Sequence, residues 1–335
     1  MLATPAEPYV CIGLHEDLER AVDVEFCARR GLPVVRRETG GGAVYLDGDQ
    51  LFVQWVMAPS SLPSRVDARF ELFARPLVET YRELGVEARF RPVNDVHVGG
   101  RKIAGTGAAR IGAAEVLVGN FLFDFDTEVM AGVLRSPTEA FRRQVAQGLR
   151  AYMTSMRREL GAPPDPREVA AIYRRRCAAA LGRELVPGEL TAAELERVAA
   201  LERKLGSDDF LRRRGAPART GVKIHADVHV VESTREVPGG RIRATARLRK
   251  GRIDDLALTG DPFPGAGGLP QLERALCGAP LHHERVERAV RAFAEGPDAP
   301  SGFDADAWIE TILLLDPRCD PRRRPAPRPG ATMTP

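Results

Sequence analysis

Lysine is almost absent from this chain. Only Lys102, Lys204, Lys223 and Lys250 stand among 49 basic residues in 335. Genome base composition is enough to explain an arginine bias, but the scarcity makes each retained lysine worth a question. Long apolar runs are missing too. None approaches the roughly 20 residues a spanning helix needs, and 28% of the residues are charged, so no membrane partner is expected. The opening MLATPAEPYV lacks the basic patch and apolar stretch of a secretory signal, which makes a cytoplasmic location the default. Five cysteines, Cys11, Cys27, Cys177, Cys277 and Cys319, are scattered without CxxC spacing. They read as reduced, buried thiols with no structural zinc. Aromatic residues are only 6%, so the arginine runs at 174–176, 212–214 and 322–324 have no stacking platform beside them. With acids interleaved and a net charge of only +3, they do not predict a nucleic-acid partner. No internal repeat is present.

Short strands and helices alternate through the first part of the chain. Residues 10–12 read as a strand, and 23–30 as a helix with Asp23 as N-cap and Gly31 past its end. Residues 33–37 are extended, a glycine triplet follows at Gly40, Gly41 and Gly42, and 43–45 resume a strand. The run LFVQWVM at 51–57 suits a strand buried on both faces. Val66, Phe70, Phe73, Leu77, Tyr81 and Leu84 recur at helical steps, predicting an amphipathic helix over 64–84 stopped by Gly85. Residues 95–98 and those from Arg101 onward form a hairpin about Gly99-Gly100, and 115–125 form a further strand. Tight turns and few crossover helices imply an α+β fold: a mixed, largely antiparallel sheet flanked by helices.

Residues 136–205 are helical and charged. Beyond them, 223–231 alternate as one half-buried strand, joined by 241–248 and 253–258 into a three-stranded meander, with helices near 269–276, 283–293 and 304–315. The expected organisation is a first domain over 1–215, a smaller C-terminal α+β domain over 218–317, and a disordered proline- and arginine-rich tail over 318–335. His225, Asp227 and His229 fall on one face of the alternating segment, read as a solvated sheet face in preference to a metal site.

Two segments carry candidate chemistry. RRETGGGAVYLDGDQ, 36–50, places three glycines between strands, where a bare backbone can approach a ligand and its amides can hold an anion. NDVHVGGRKIAGTG, 94–107, places Lys102 just after a hairpin turn and ahead of Gly105 and Gly107. A movable ammonium there suits contact with a phosphate and a carbonyl oxygen in succession.

In this order and spacing, the two segments resemble the lipoate-protein ligase family: an Arg-Arg pair before Thr/Ser-Gly-Gly-Gly-Ala-Val, then Asn-Asp before Lys-Ile/Val-x-Gly-Ser/Thr. The resemblance is strongest over 9–126 and looser over 223–315, which is similar to the family's accessory domain. It implies a biotin/lipoate ligase-like catalytic domain, related to class II aminoacyl-tRNA synthetases. It also implies an ATP-dependent reaction in which lipoate or octanoate becomes an acyl-adenylate and then passes to a lysine of a lipoyl domain. Such domains occur in 2-oxoacid dehydrogenase acyltransferase subunits and glycine-cleavage H protein. By the resemblance, Lys102 is catalytic. Arg37, Thr39, Gly40, Gly41, Gly42 and Val44 line the acyl and adenylate groove. Asn94, Asp95, Gly105 and Thr106 serve the nucleotide side, with Asp95 near Mg2+.

The match departs from the family at Leu46 and Val118, where family members carry histidine, and at Gly107, where alanine is common. The family's usual N-terminal strand-helix-strand is also expected to be missing. Biotin ligases share the fold, but their glycine-arginine segment is absent. A rival within the superfamily is the octanoyl or lipoyl transferase, which forms a thioester on a cysteine following the lysine hairpin. No cysteine lies between Lys102 and Cys177, and Cys177 sits in a helical run. A non-catalytic module holding lipoyl-AMP or a partner domain is the third reading.

Overall fold

The computed structural model describes residues 1–213, 221–238, 240–260, 269–300 and 302–316. The tail from 318, including Cys319 and the 322–324 arginines, lies outside the described residues, as do Arg214 and Gly239. The chain divides into two compact units, Met1–Arg219 and Thr220–Pro335.

The first unit opens with β1 (Leu2–Ala3), β2 (Tyr9–Ile12), α1 (Leu18–Ala21), α2 (Val24–Arg29), β3 (Val34–Arg36), β4 (Val44–Leu46) and β5 (Gln50–Met57). Asp17 and Asp23 accept hydrogen bonds from the amides of Arg20 and Phe26. These bonds satisfy first-turn donors that would otherwise go unpaired. β3 runs parallel and β4 antiparallel to β2, giving a small sheet of order β3-β2-β4. The glycine triplet lies in the link from β3 to β4.

α3 (Val66–Glu83), β6 (Arg89–Arg91), β7 (Asp95–Val98), β8 (Arg101–Ile111) and β9 (Ala114–Leu122) complete a six-stranded sheet of order β1-β5-β9-β8-β7-β6. Every pairing in it is antiparallel. α4 (Thr127–Val133), α5 (Glu139–Tyr152), α6 (Met156–Leu160), α7 (Pro166–Leu181), α8 (Ala192–Leu205) and α9 (Asp208–Leu211) follow. Phe73, Leu77 and Tyr81 of α3 and Tyr173 and Cys177 of α7 pack with Val53, Trp55, Leu117 and Phe121 of the sheet in one core. A Cβ on Gly119 would come within 3.0 Å of the Phe73 ring, so a glycine here lets α3 sit close to β9. Trp55 Nε1 donates to the Tyr173 hydroxyl at 3.0 Å inside this core, as a buried indole must if its N–H is not to go unpaired.

The second unit corrects one expectation. Residues 223–231 are two strands, β10 (Val222–His225) and β11 (Val228–Val237), so the meander with β12 (Gly240–Arg249) and β13 (Arg252–Gly260) has four strands. The Asp227 amide donates to His225 Nδ1 at 3.3 Å across the turn. Apolar alternation runs unbroken through so tight a turn, which is why it read as one strand. His225 pairs across with Val228 and is buried, so it does not share a solvated face with His229. α10 (Leu269–Leu276), α11 (His283–Ala294) and α12 (Ala305–Leu313) lay Leu272, Leu276, Val286, Val290, Trp308 and Ile312 in a core with Val231, Ile242, Ala244 and Leu258. Among the described residues, no helix is long and apolar enough to cross a membrane.

Replacing Tyr173 by Phe removes the oxygen that accepts the buried Trp55 indole N–H and leaves it only the weakly accepting Cys177 sulfur. The expected cost is about 1–3 kcal/mol, read as a lower urea midpoint with an unchanged slope; an unshifted midpoint would refute this role for the hydroxyl.

Candidate active site

The lysine hairpin is bulged. Asp95 lies opposite Gly105 and Val96 opposite Ala104, but His97 lies opposite Lys102, leaving Ile103 as the extra residue. A bulge re-aims the side chains around it. Here it puts Lys102 and Asp95 within reach, Nζ lying 2.8 Å from Oδ1. The lysine stem lies over position 105: a Cβ there would stand 3.0 Å from Nζ and 3.2 Å from Cε. The glycine three residues after the lysine is thus the space the ammonium crosses. Oδ2 of Asp95 faces His97 Nε2 at 3.8 Å. Burial pushes the Asp95 carboxyl up, but the hydrogen bond from His97 and the Lys102 ammonium outweigh it and hold the group well below the usual carboxylate range.

Beside this pair, Asn94 and Thr106 hold each other. Asn94 Nδ2 donates to the Thr106 carbonyl at 2.8 Å, and the Thr106 amide and hydroxyl both donate to the Asn94 carbonyl. Asn94 is therefore first a clamp on the strand ends. The Thr154 amide donates to the Lys102 carbonyl at 2.9 Å, fixing the lysine's backbone from the α5–α6 link. Arg101 and the Thr154 hydroxyl meet on Glu159.

The glycine loop is shaped by arginine. Arg37 donates to the carbonyls of Cys11, Gly40 and Gly42 at 2.8–3.2 Å. Its guanidinium thus holds the loop. Gly41 has φ 99°, and a Cβ on it would meet Arg37 Nη2 at 2.7 Å. A Cβ on Gly13 would fall 2.0 Å from the Gly41 carbonyl oxygen, so a fourth glycine, passed over in the sequence, lets β2's end meet the triplet. Around Gly40 and Gly42 nothing lies within 4 Å of an added Cβ, so the bare backbone there is open. Thr39 is buried and its carbonyl takes the Leu14 amide, while half-buried Val44 pairs with Cys11. Arg36, only 2% exposed, donates to main-chain carbonyls of residues 13, 14, 16, 211 and 213. Among the described residues neither Arg36 nor Arg37 reaches a carboxylate at ion-pair distance. Glu16 acts on both guanidiniums from farther off, and Asp17 on Arg36.

The structure therefore gathers Asn94, Asp95, Lys102, Gly105 and Thr106 in one cluster. Arg37, Thr39, Gly40, Gly41, Gly42 and Val44 form another on the small sheet. α4 packs on β4 and on α5, and α5 packs on β8, so one helix pair touches the strands of both clusters. A cavity of about 390 Å³ adjoins the lysine strand, lined by Asp124, Thr127, Met153, Thr154, Arg157 and Arg158 among others. The signal for it was the polar and basic break MTSMRR at 153–158.

Two chemistries fit poorly. Both carboxylate oxygens of Asp95 already face nitrogen atoms of Lys102 and His97, so the expected Mg2+ ligand is not offered as the side chain stands. A thioester needs an accessible, acidic thiol. Cys11, Cys27 and Cys177 are buried, and burial pushes each thiol up, Cys27 to about 11. Cys277 is exposed but lies in the second unit, and its thiol is also raised by burial.

An antiparallel sheet flanked by helices, with a glycine loop on a small companion sheet, is the α+β arrangement of the lipoate ligase fold. The chain belongs to the lipoyl protein ligase A/B catalytic domain family, whose model matches residues 1–177. It is 30% identical over 231 residues to the octanoyltransferase LipM of Kyrpidia tusciae, covering 62% of this chain and 84% of that protein. It is 22% identical over 287 residues to lipoate–protein ligase 1 of Staphylococcus aureus, covering 85% and 82%. A solved structure from an archaeal lipoylation system, a bipartite lipoate protein ligase and its E2 lipoyl domain from Thermoplasma acidophilum, aligns with a TM-score of 0.58. The identity is 25%, over 63% of this chain and 83% of that one.

The Asp95 carboxyl is depressed in the folded chain, so its contribution to stability is present above the unfolded value, about 3.9, and fades as pH falls below it. Asp95→Asn is expected to destabilise the protein more at pH 7 than at pH 3, measured by urea unfolding. An equal loss at both pH values would contradict the ion pair.

Proposed function

We propose that this chain is an ATP-dependent lipoate–protein ligase that activates lipoate, or octanoate, as the acyl-adenylate and transfers it to a lysine of a lipoyl domain. The observation that carries the reading is the Lys102 ammonium stretched over Gly105 to Asp95, a cation held ready but only by a side chain. Arg37 adds support, a cation held on the carbonyls of Gly40 and Gly42 beside an open glycine backbone, as an anionic ligand requires.

In the first step a carboxylate oxygen of the acid attacks the α-phosphorus of ATP and pyrophosphate leaves. In the second, a lysine amine of the acceptor attacks the acyl carbonyl and AMP leaves. In this reading Lys102 exchanges Asp95 for the phosphate and carbonyl oxygens as charge builds there, a role a compact ammonium fills better than a fork. The amides of 40–42 receive the adenylate, and Val44 packs on the acyl chain at about 0.8 kcal/mol per buried methylene. The cavity beside Thr154 suits the nucleotide. The catalytic domain is read as 1–215 and the accessory domain as 218–317, acting in the cytoplasm. The acceptors are the lipoyl domains of 2-oxoacid dehydrogenases or of glycine-cleavage H protein.

The likeness to an octanoyltransferase LipM favours a second reading, acyl transfer from a carrier protein through a cysteine. The burial of Cys11, Cys27 and Cys177 weighs against it.

With ATP and lipoate the protein is expected to release pyrophosphate, and Lys102→Ala is expected to slow that release by roughly 10²–10³-fold when assayed below its melting temperature, which falls with the loss of the Asp95 pair. Near-wild-type release by the variant would remove the lysine from the mechanism. A variant with all five cysteines replaced by alanine or serine is expected to keep ligase activity. Its loss, together with acyl-carrier-protein dependence in the parent, would establish the thioester route.

A further inference from the structure

The first arginine of the Arg36-Arg37 pair lies outside the proposed chemistry, yet it is among the largest fully buried side chains. Its partners come from two distant stretches of chain. Nη1 donates to the carbonyls of Gly13, Leu14 and Glu16 at 3.1, 3.0 and 2.6 Å. Nε and Nη2 donate to Leu211 at 3.1 and 2.7 Å, and Nη2 also to Arg213 at 3.0 Å. A buried guanidinium with only carbonyls as acceptors is stable only while all of them stay in place, because losing one leaves a charged donor unpaired. The two stretches are therefore coupled through one side chain.

On one side, the coupling reaches the glycine loop. Gly13 lies directly against the Gly41 carbonyl, Leu14's amide binds the Thr39 carbonyl, and Arg37's amide binds the Ile12 carbonyl. On the other side stands α9, four residues capped by Ser207 on the Phe210 amide, against β3. Lys204, just before it, reaches Glu38 of the same loop at 3.9 Å.

We propose that α9 acts through Arg36 as a latch on the glycine loop, and that Arg36 is a positioning residue setting how tightly the loop holds its anionic acyl-adenylate. The ligand's identity rests on the ligase reading; the latch itself does not. Docked, α9 fixes residues 13–16 and so the wall behind Gly41. Undocked, it frees three of the six hydrogen bonds of Arg36 and loosens that wall.

The test uses the full chain. In Leu211→Pro, which breaks α9, and in Arg36→Lys, which cannot span both carbonyl sets, amides at 12–16 and 37–42 are expected to exchange hydrogen at least about tenfold faster, with β9 and α3 unchanged. The KM for lipoate is expected to rise about tenfold in both, with kcat held within about twofold. Ser207→Ala, which removes only the cap, decides the matter if Leu211→Pro lowers the melting temperature of the whole protein. Wild-type exchange at 12–16 and 37–42 beside faster exchange at 207–211 overturns the latch. Absence of pyrophosphate from the parent overturns the ligase reading and leaves the exchange result standing.

Discussion

One ion pair organises the candidate site: the Lys102 ammonium on the Asp95 carboxylate, 2.8 Å apart across a bulged hairpin. Everything near it serves that distance. The bulge at Ile103 turns the lysine, Gly105 clears its path, His97 stands behind the carboxylate, and Thr154 holds the lysine's carbonyl. The pair is only partly withdrawn from water, since the lysine side chain is 22% exposed while the aspartate is 5% exposed. A half-open pair of this kind gains less from Coulomb attraction than a fully buried one, and its cation can turn toward water or a ligand, while the buried carboxylate left behind keeps His97 beside it. That asymmetry suits a lysine that meets a ligand.

The arginines show the opposite physics. Arg36 and Arg37 are locked in forks of main-chain carbonyls and set the shape of the loops they join. A planar guanidinium with five donors can bind several carbonyls at once, and it does not move without breaking most of them. In a chain with 49 basic residues and four lysines, arginine builds the scaffold here, while the Lys102 ammonium is held by one carboxylate.

Both an octanoyltransferase and a lipoate–protein ligase are similar in sequence to this chain. The chemical difference between those routes lies in where the activated acyl group waits, on phosphate or on sulfur. Cys11, Cys27 and Cys177 are all buried, and burial raises the pKa of each thiol. At the two positions where the resemblance expects histidine stand buried Leu46 and half-buried Val118, methylene surface in place of polar rings.

Much was legible in the sequence because it is local. The amphipathic spacing of Phe70, Phe73, Leu77 and Tyr81 specified α3, and Gly99-Gly100 specified the hairpin. The α+β class and the two glycine-bearing motifs followed from patterns a few residues long. What tertiary structure alone decided is non-local. The bulge that aims Lys102 depends on register, and periodicity does not report register. The turn at Asp227 hides within an unbroken apolar alternation. Arg36 finds its acceptors about 20 and 175 residues away, and no spacing rule reaches so far. A side chain's reach is set by its neighbours in the sequence, but its partners are set by which backbone carbonyls the folded chain leaves unpaired around it.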